Sequence, residues 1–223
     1  MRKRIAAVVM LFMTLVLTGC GSNSSPTVVV IPPTIVTQIL SNPAIDGDIA
    51  VNTADTYTIT QGMSPTVQSV YAGIDPDTLT EYRAFLHFPL TGTGGVPLDA
   101  AIASAKLDIF INNIWPSTGT IPIRIDLVDF QPPTLLASDF STINLPALRS
   151  ISTSIFQSDF GRHVVIDVTS LMREAQFRGL PDFQIRILES FGLVSPGLIE
   201  IDDTTSTVAD RATFAPQLEV TYY

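Results

Sequence analysis

Strict alternation of apolar and polar residues runs through Ala105-Lys106-Leu107-Asp108-Ile109, and the apolar face continues to Ile111. Successive side chains of a β-strand point to opposite faces, so a period of two gives an extended chain one apolar face and one mostly polar face. The apolar residues of an amphipathic helix would recur roughly every three or four positions instead. The segment therefore predicts a strand whose apolar face lies in a core.

The same alternation recurs in four further segments. Residues 82–90 form an additional strand, and weaker strands are predicted near residues 48–51, 56–60, 67–72 and 198–202. Strands with a single apolar face are typical of antiparallel sheets that are covered on one side. Two such sheets packed face to face give the predicted fold, an all-β, antiparallel β-sandwich that is jelly-roll-like. The predicted core residues include Ala84, Leu86, Phe88, Leu107, Ile109, Ile123, Ile125, Ile166, Ile185 and Val220.

One segment departs from this period and predicts a short helix near residues 169–178. Thr169 is the predicted N-cap, with Asp167 close to the positive end of the helix dipole. Gly179 is suited to the position just after the helix, and Pro181 prevents its continuation. The apolar face of this helix would close one end of the sandwich with Leu171, Met172 and Ala175.

Two arrangements remain open for the strands at residues 105–111 and 121–127. If they form a hairpin, Lys106 lies opposite Asp126 and Asp108 lies opposite Arg124, and each such pair contributes roughly 0.2–1 kcal/mol. If the chain instead crosses between the sheets, as in a jelly roll, these charges never meet.

The first residues of the chain are typical of a bacterial lipoprotein. A basic start, Met1-Arg2-Lys3-Arg4, precedes an apolar run from Ile5 to Leu17 that is too short to span a bilayer. Leu17-Thr18-Gly19-Cys20 resembles a lipobox, and Cys20 is the only cysteine. We therefore expect a signal peptide at residues 1–19, lipidation of Cys20, a tether at residues 20–39 and one domain at residues 40–223. The Pro pair Pro32-Pro33 favours an extended spacer, and a strand near residues 34–40 remains open. The expected location is the cell envelope, at the outer membrane if the host is Gram-negative.

Charge restricts the partners of this domain. The signal holds three of the twelve basic residues and none of the 21 acidic ones, which leaves a formal charge of −12. Such a chain repels nucleic acid and anionic membrane surfaces. We therefore expect no nucleic-acid partner, and a membrane contact through the lipid anchor only.

Three ordered motifs carry a resemblance to a known family. They are residues 82–90 followed by 101–110, then residues 165–172, then the ending at residues 215–222. Together they resemble the DNRLRE-type domains, extracellular β-sandwich modules related to disaggregatase repeats and to some carbohydrate-binding modules. The resemblance covers roughly residues 45–223. It implies a jelly-roll-like sandwich with a binding or structural role more often than a catalytic one.

No catalytic motif is found in the sequence, and we expect the chain not to be an enzyme. The two histidines, His87 and His163, have strand positions that face solvent, and no G-x-S-x-G or H-E-x-x-H motif is present. We expect no zinc site. The pairs Asp46/Asp48, Asp75/Asp77 and Asp202/Asp203 are typical of turns. They also leave open a structural Ca²⁺ site, since Ca²⁺ prefers clustered carboxylate oxygens.

Trp115 is the first candidate for ligand binding, because amides and hydroxyls surround it in a predicted loop at residues 112–118. An aromatic face stacks on a sugar while neighbouring polar groups bind its hydroxyls. The alternative is that Trp115 caps the open end of the sandwich. Tyr57, Tyr71 and Phe110 are further candidates.

Three functions follow as hypotheses. They are polysaccharide binding, a structural or adhesive envelope role with a protein partner, and an envelope hydrolase. Grooved aromatic surfaces would favour the first. Bare sheet edges would favour the second, and paired carboxylates in a pocket would favour the third.

Overall fold

The computed structural model describes residues 33–64, 66–116, 119–190, 196–205 and 207–223. The predicted signal peptide, Cys20 and the tether up to residue 32 lie outside the described residues. None of the helices described is long and apolar enough to cross a bilayer. Two short 3₁₀ segments occur at Ala137–Phe140 and Gln157–Asp159.

The described part of the chain forms twelve strands and two α-helices. The helices are α1 (Thr169–Arg178) and α2 (Val208–Phe214). The strands are β1 (Ile35–Leu40), β2 (Gly47–Val51), β3 (Tyr57–Gln61), β4 (Ser69–Ile74), β5 (Glu81–Pro89), β6 (Ile102–Trp115), β7 (Thr120–Val128), β8 (Arg149–Phe156), β9 (Arg162–Asp167), β10 (Asp182–Glu189), β11 (Leu198–Asp202) and β12 (Gln217–Tyr222).

These strands form one curled antiparallel sheet in the order β1-β12-β6-β11-β4-β5-β10-β7-β8. The first layer runs from β1 to β4, with β9 on the other side of β6. The second layer runs from β5 to β8, with β2 and β3 beyond β5. The layers meet where β4 pairs with β5 through Gly73–Tyr82 and Ile74–Glu81 only. The predicted all-β sandwich is therefore confirmed.

The main core lies between the two layers and contains every core residue named from the sequence. Each inward residue of β6 and β7 is fully or almost fully buried, as are Ile166, Ile185 and Val220. Full burial of one such aliphatic side chain contributes roughly 1.5–3 kcal/mol relative to exposure. The period of two thus identified the inner faces correctly.

Strands β6 and β7 do not form a hairpin, which decides between the two arrangements left open by the sequence. β6 pairs with β9, β11 and β12, whereas β7 pairs with β8 and β10. Lys106 lies opposite Asp167 and Glu219, not opposite Asp126. Because consecutive strands enter different layers here, the chain follows the jelly-roll crossover.

A second, smaller core covers the outer face of the second layer. The segment between β7 and β8 packs there, so that Phe130 contacts Phe85 edge to face at 5.8 Å. The buried cluster also contains Ile49, Val128, Leu135, Phe140 and Leu145. The prediction that His87 faces solvent is wrong: this residue is 4% exposed, and its ring lies 6.5 Å from Phe130. His163, on the uncovered strand β9, is exposed as predicted.

Helix α1 forms where the sequence predicts it, and its apolar face is buried as expected. The N-cap position belongs to Val168, not to Thr169. The Thr169 hydroxyl instead hydrogen-bonds the Ala105 backbone, while Asp167 Oδ1 accepts the Thr169 N–H at 2.9 Å. Gly179 follows the helix in the left-handed conformation, with φ of 65°. Helix α2 and strand β8 were not predicted.

The first strand extends the domain toward the N terminus. All six residues of β1 pair with β12. The compact unit accordingly begins at Pro33. Residues 20–39 were predicted as a tether, and the strand left open near residues 34–40 is the one that forms as β1.

Candidate functional site

A cleft of about 770 Å³ opens beside the junction of the two layers. The β2–β3 hairpin forms one wall, and β4, β11 and the start of β5 form the other. Among the described residues that line the cleft, none is Lys, Arg or His. The lining residues are Asp48, Ala50, Asn52, Thr56, Thr58, Thr60, Thr66, Val67, Gln68, Ser69, Tyr71, Thr80, Tyr82 and Glu200.

Strand periodicity explains how the hairpin supplies its wall. Asp48 pairs with Thr60, and Ala50 pairs with Thr58, so these four side chains share one face. Ile49 points the other way and joins the second core. The hairpin is therefore held by an apolar outer face and presents a polar inner face to the cleft.

Asp48 is the most deeply buried polar group of the cleft, at 2% exposure. Its Oδ2 accepts the backbone N–H of Tyr71 at 3.2 Å. Burial raises the pKa of Asp48 to about 7, and this hydrogen bond offsets the rise only in part. The Asp48 carboxyl group therefore changes between its protonated and ionised forms near neutral pH.

Tyr71 lies in the cleft close to two other aromatic residues. Its ring centroid is 5.7 Å from that of Tyr82, which also lines the cleft, and 6.5 Å from that of Trp115, at the end of β6. Burial, followed by the charges of Glu200 and Asp48, raises the pKa of Tyr71 to about 12. Glu200 lies opposite Tyr71 in the pairing of β11 with β4, and Asp48 accepts the Tyr71 backbone N–H from β2.

The structure brings together two of the four ligand-binding candidates named from the sequence. Tyr71 lines the cleft, and Trp115 contacts it from the end of β6. The prediction that Trp115 lies in a loop is wrong, because β6 continues through residue 115.

The other two candidates lie elsewhere. Tyr57 is exposed and packs edge to face on Phe140, with ring centroids 5.7 Å apart. Phe110 is half-buried between His163 and Phe214, at centroid distances of 5.1 and 4.9 Å. Neither residue lines the cleft.

Asp48, Tyr82 and Glu200 were not named as ligand-binding residues. Tyr82 has the same parity as Ala84 and Leu86 on β5, which was a usable signal for an inward position. The turn predicted at Asp46-Gly47-Asp48 is wrong for Asp48, which lies in β2, where the strand predicted near residues 48–51 is confirmed. The turn at Asp75 is confirmed, since Asp75 Oδ1 accepts the Asp77 N–H at 2.8 Å.

A buried acidic group lies outside the cleft. Burial raises the pKa of both Asp46 and Asp203. The charge of Asp203 raises the pKa of Asp46 further, whereas a hydrogen bond with Asp46 lowers that of Asp203. Ser41 donates to Asp203 at 3.3 Å, and an Arg211 nitrogen lies 3.8 Å from it. Within the described ranges, no three His, Cys, Asp or Glu residues come together as metal ligands.

A second groove, of about 690 Å³, lies between strands β8 and β9. Among the described strands, β8 pairs only with β7, and β9 pairs only with β6. Val165 is exposed in this groove, and Ile151 also lines it. Each strand therefore presents unpaired backbone groups, which is the property that allows another chain to add to a sheet.

Comparisons with known proteins add no relative to these observations. No protein-family model matches the chain, and no curated protein matches it. The resemblance to DNRLRE-type domains therefore stays a prediction. The structure itself defines an all-β sandwich with a polar, aromatic cleft beside the junction of its layers.

Proposed function

We propose that this chain is a lipid-anchored protein of the cell envelope whose sandwich domain binds a polysaccharide without cleaving it. The observation that carries the proposal is the presence of Tyr71 and Tyr82 in a cleft lined by hydroxyl groups, with Trp115 close to Tyr71. Aromatic faces bind the C–H faces of sugar rings, and hydroxyl and amide groups recognise the sugar hydroxyls.

The chemistry of the cleft fits an uncharged or cationic sugar chain better than an anionic one. Five threonines, together with Asn52 and Gln68, supply donors and acceptors along both walls. The charge of −12 repels an anionic glycan, and the lining residues described offer it no basic partner.

The anchor in this proposal is the predicted lipid on Cys20. A diacylated cysteine holds a protein at a membrane surface, and the following Gly21 favours sorting to an outer membrane in a Gram-negative host. The chain between Cys20 and β1 would then separate the domain from the membrane.

Two other functions each have one supporting observation. Asp48 and Glu200 place two carboxyl groups in the cleft, as a hydrolase requires. Asp48 accepts the Tyr71 backbone N–H through one carboxylate oxygen, and Glu200 lies opposite Tyr71 on β11. The open edges of β8 and β9 favour a protein partner, as expected for a structural or adhesive envelope module.

Binding to neutral and acidic polysaccharides, measured by affinity electrophoresis and calorimetry, tests the proposal. Tyr71→Ala should abolish binding of a neutral polysaccharide, because it removes the central ring. Tyr57→Ala is the matched control, because it removes an exposed tyrosine that does not line the cleft.

Two results would contradict the proposal. Failure of every polysaccharide to bind would move the assignment to the protein-partner function. New reducing ends in the incubated polysaccharide, lost in Asp48→Asn, would establish a hydrolase.

A further inference from the structure

Among the described residues that line the cleft, the two acidic groups have no cationic partner. Asp48 is 2% exposed and accepts the neutral backbone N–H of Tyr71. Glu200 lies opposite Tyr71 in the pairing of β11 with β4 and lines the same cleft. A buried carboxylate is costly unless a charge or several hydrogen bonds compensate it. A cationic ligand would therefore stabilise the ionised form of Asp48.

The tyrosine rings beside these carboxyl groups are also suited to binding a cation. The Tyr71 backbone N–H donates to Asp48, and Glu200 lies opposite Tyr71 on β11. The ring centroids of Tyr71 and Tyr82 are 5.7 Å apart. The face of a tyrosine ring attracts a cation, and this attraction grows when the cation is removed from water. Carboxylates and aromatic faces around one cavity form an environment suited to an ammonium group.

We propose that the polysaccharide bound in this cleft carries primary ammonium groups, as a polymer of de-N-acetylated hexosamine does, and that Asp48 holds one of them beside Tyr71 and Tyr82, while the charge of Glu200 in the same cleft adds to the attraction. This inference rests on the proposed function and specifies its ligand. The hydroxyl groups of the sugar unit that carries this ammonium group, and those of the neighbouring sugar units, would hydrogen-bond the threonines of β3 that line the cleft. An N-acetylated sugar would leave Asp48 without its cation.

A metal ion is a poorer occupant of this position. Its carboxylate ligands would be two residues, and the described residues bring no third acidic or imidazole group to them. Ca²⁺ usually takes six to eight oxygen ligands, several of them charged. A primary amine needs fewer partners, since one ammonium donates only three hydrogen bonds.

The test compares two hexosamine oligomers of equal length, one fully N-acetylated and one fully de-N-acetylated. The purified full chain is titrated with each by calorimetry at neutral pH, in the presence of a chelator. The de-N-acetylated oligomer should bind about tenfold tighter or more, and added salt should reduce this preference.

Asp48→Asn and Glu200→Gln should each reduce the affinity for the de-N-acetylated oligomer to that for the N-acetylated one. Asp129→Asn is the matched control, because Asp129 is exposed and does not line the cleft. The two cleft variants keep the shape of the side chain, and Glu200→Gln changes a less buried residue. Thermal unfolding of both variants verifies that they are folded.

The possible failures are distinguishable. Equal affinity for the two oligomers would overturn this inference and leave polysaccharide binding in place. Tight binding of a lysine peptide with no sugar would overturn the sugar as ligand, and so would binding that requires a divalent cation. If neither oligomer and no neutral polysaccharide binds, the proposed function itself fails.

Discussion

Arg186 is a fully buried cation on the outer face of the second layer, and replacing it tests how the second core is held. Both Arg186 and Asp126 are 0% exposed. The Arg186 guanidinium donates to Asp126 Oδ2 at 2.8 Å and to the backbone oxygens of Asp139 and Leu145, each at 3.1 Å. One side chain thus connects β10 with β7 and with the segment that covers them.

The expected cost of Arg186→Met follows from these contacts. Removing one partner of a buried ion pair destabilises a protein by about 3–5 kcal/mol, because the other charge stays buried without compensation. Burial raises the pKa of Asp126, yet hydrogen bonds from Arg124, Ser150 and Arg186 hold it below its usual value. In the variant this pKa should rise, and two backbone oxygens lose their donor. A loss of about 4 kcal/mol is large against a typical stability of about 5–15 kcal/mol.

Urea unfolding measures this loss, with Arg124→Met as the matched control. Arg124 donates to the same carboxylate at 2.8 Å, but 35% of its side chain is exposed. Partly exposed ion pairs contribute about 1 kcal/mol or less. The reasoning would be refuted if the two variants lowered the free energy of unfolding equally, or if Arg186→Met cost less than about 1 kcal/mol. Burial of the ion pair would then not explain its contribution to stability.

Three further predictions concern acidity, packing and anchoring. Burial raises the folded-state pKa of Asp48 and Asp203 from 3.8 to about 7, so their contribution to stability is complete in acid below the unfolded pKa and is lost as the pH rises to about 7. The melting temperature should therefore fall between about pH 4 and about pH 7, and less steeply in Asp48→Asn. Leu107→Ala should cost about 2–5 kcal/mol in urea unfolding, whereas Val165→Ala, at an exposed position, should cost less than about 1 kcal/mol. Cys20→Ser should move the protein from the membrane pellet to the soluble fraction, and unchanged fractionation and processing would contradict lipidation.

The inner faces could be predicted from the sequence because each depends on a local pattern. Alternation alone placed Leu107 and Ile125 in the core, and the structure confirms this. The outer faces could not be predicted in the same way. His87 and Arg186 have the parity of solvent-facing residues but lie beneath a segment that has no periodicity of its own. Which face such a segment covers depends on contacts between residues far apart in the chain.

The cleft shows the same limit. Tyr71 could be named as an aromatic residue in a polar surrounding, but its partners come from four other strands, β2, β5, β6 and β11. Glu200 lies opposite Tyr71 only because β11 pairs with β4, and Asp48 reaches it from β2. No spacing in the sequence relates these residues, so their proximity is a property of the tertiary fold.

The second core also restricts how the chain can vary by mutation. Seven consecutive residues of β10, Phe183 to Glu189, are buried. A substitution on either face of this strand therefore alters a packed core, although the sequence of the strand still alternates. On β12, by contrast, Gln217, Glu219 and Thr221 are only partly buried and can change more freely. Inherited substitutions should therefore accumulate on the outer face of the first layer, while the second layer keeps its residues on both faces.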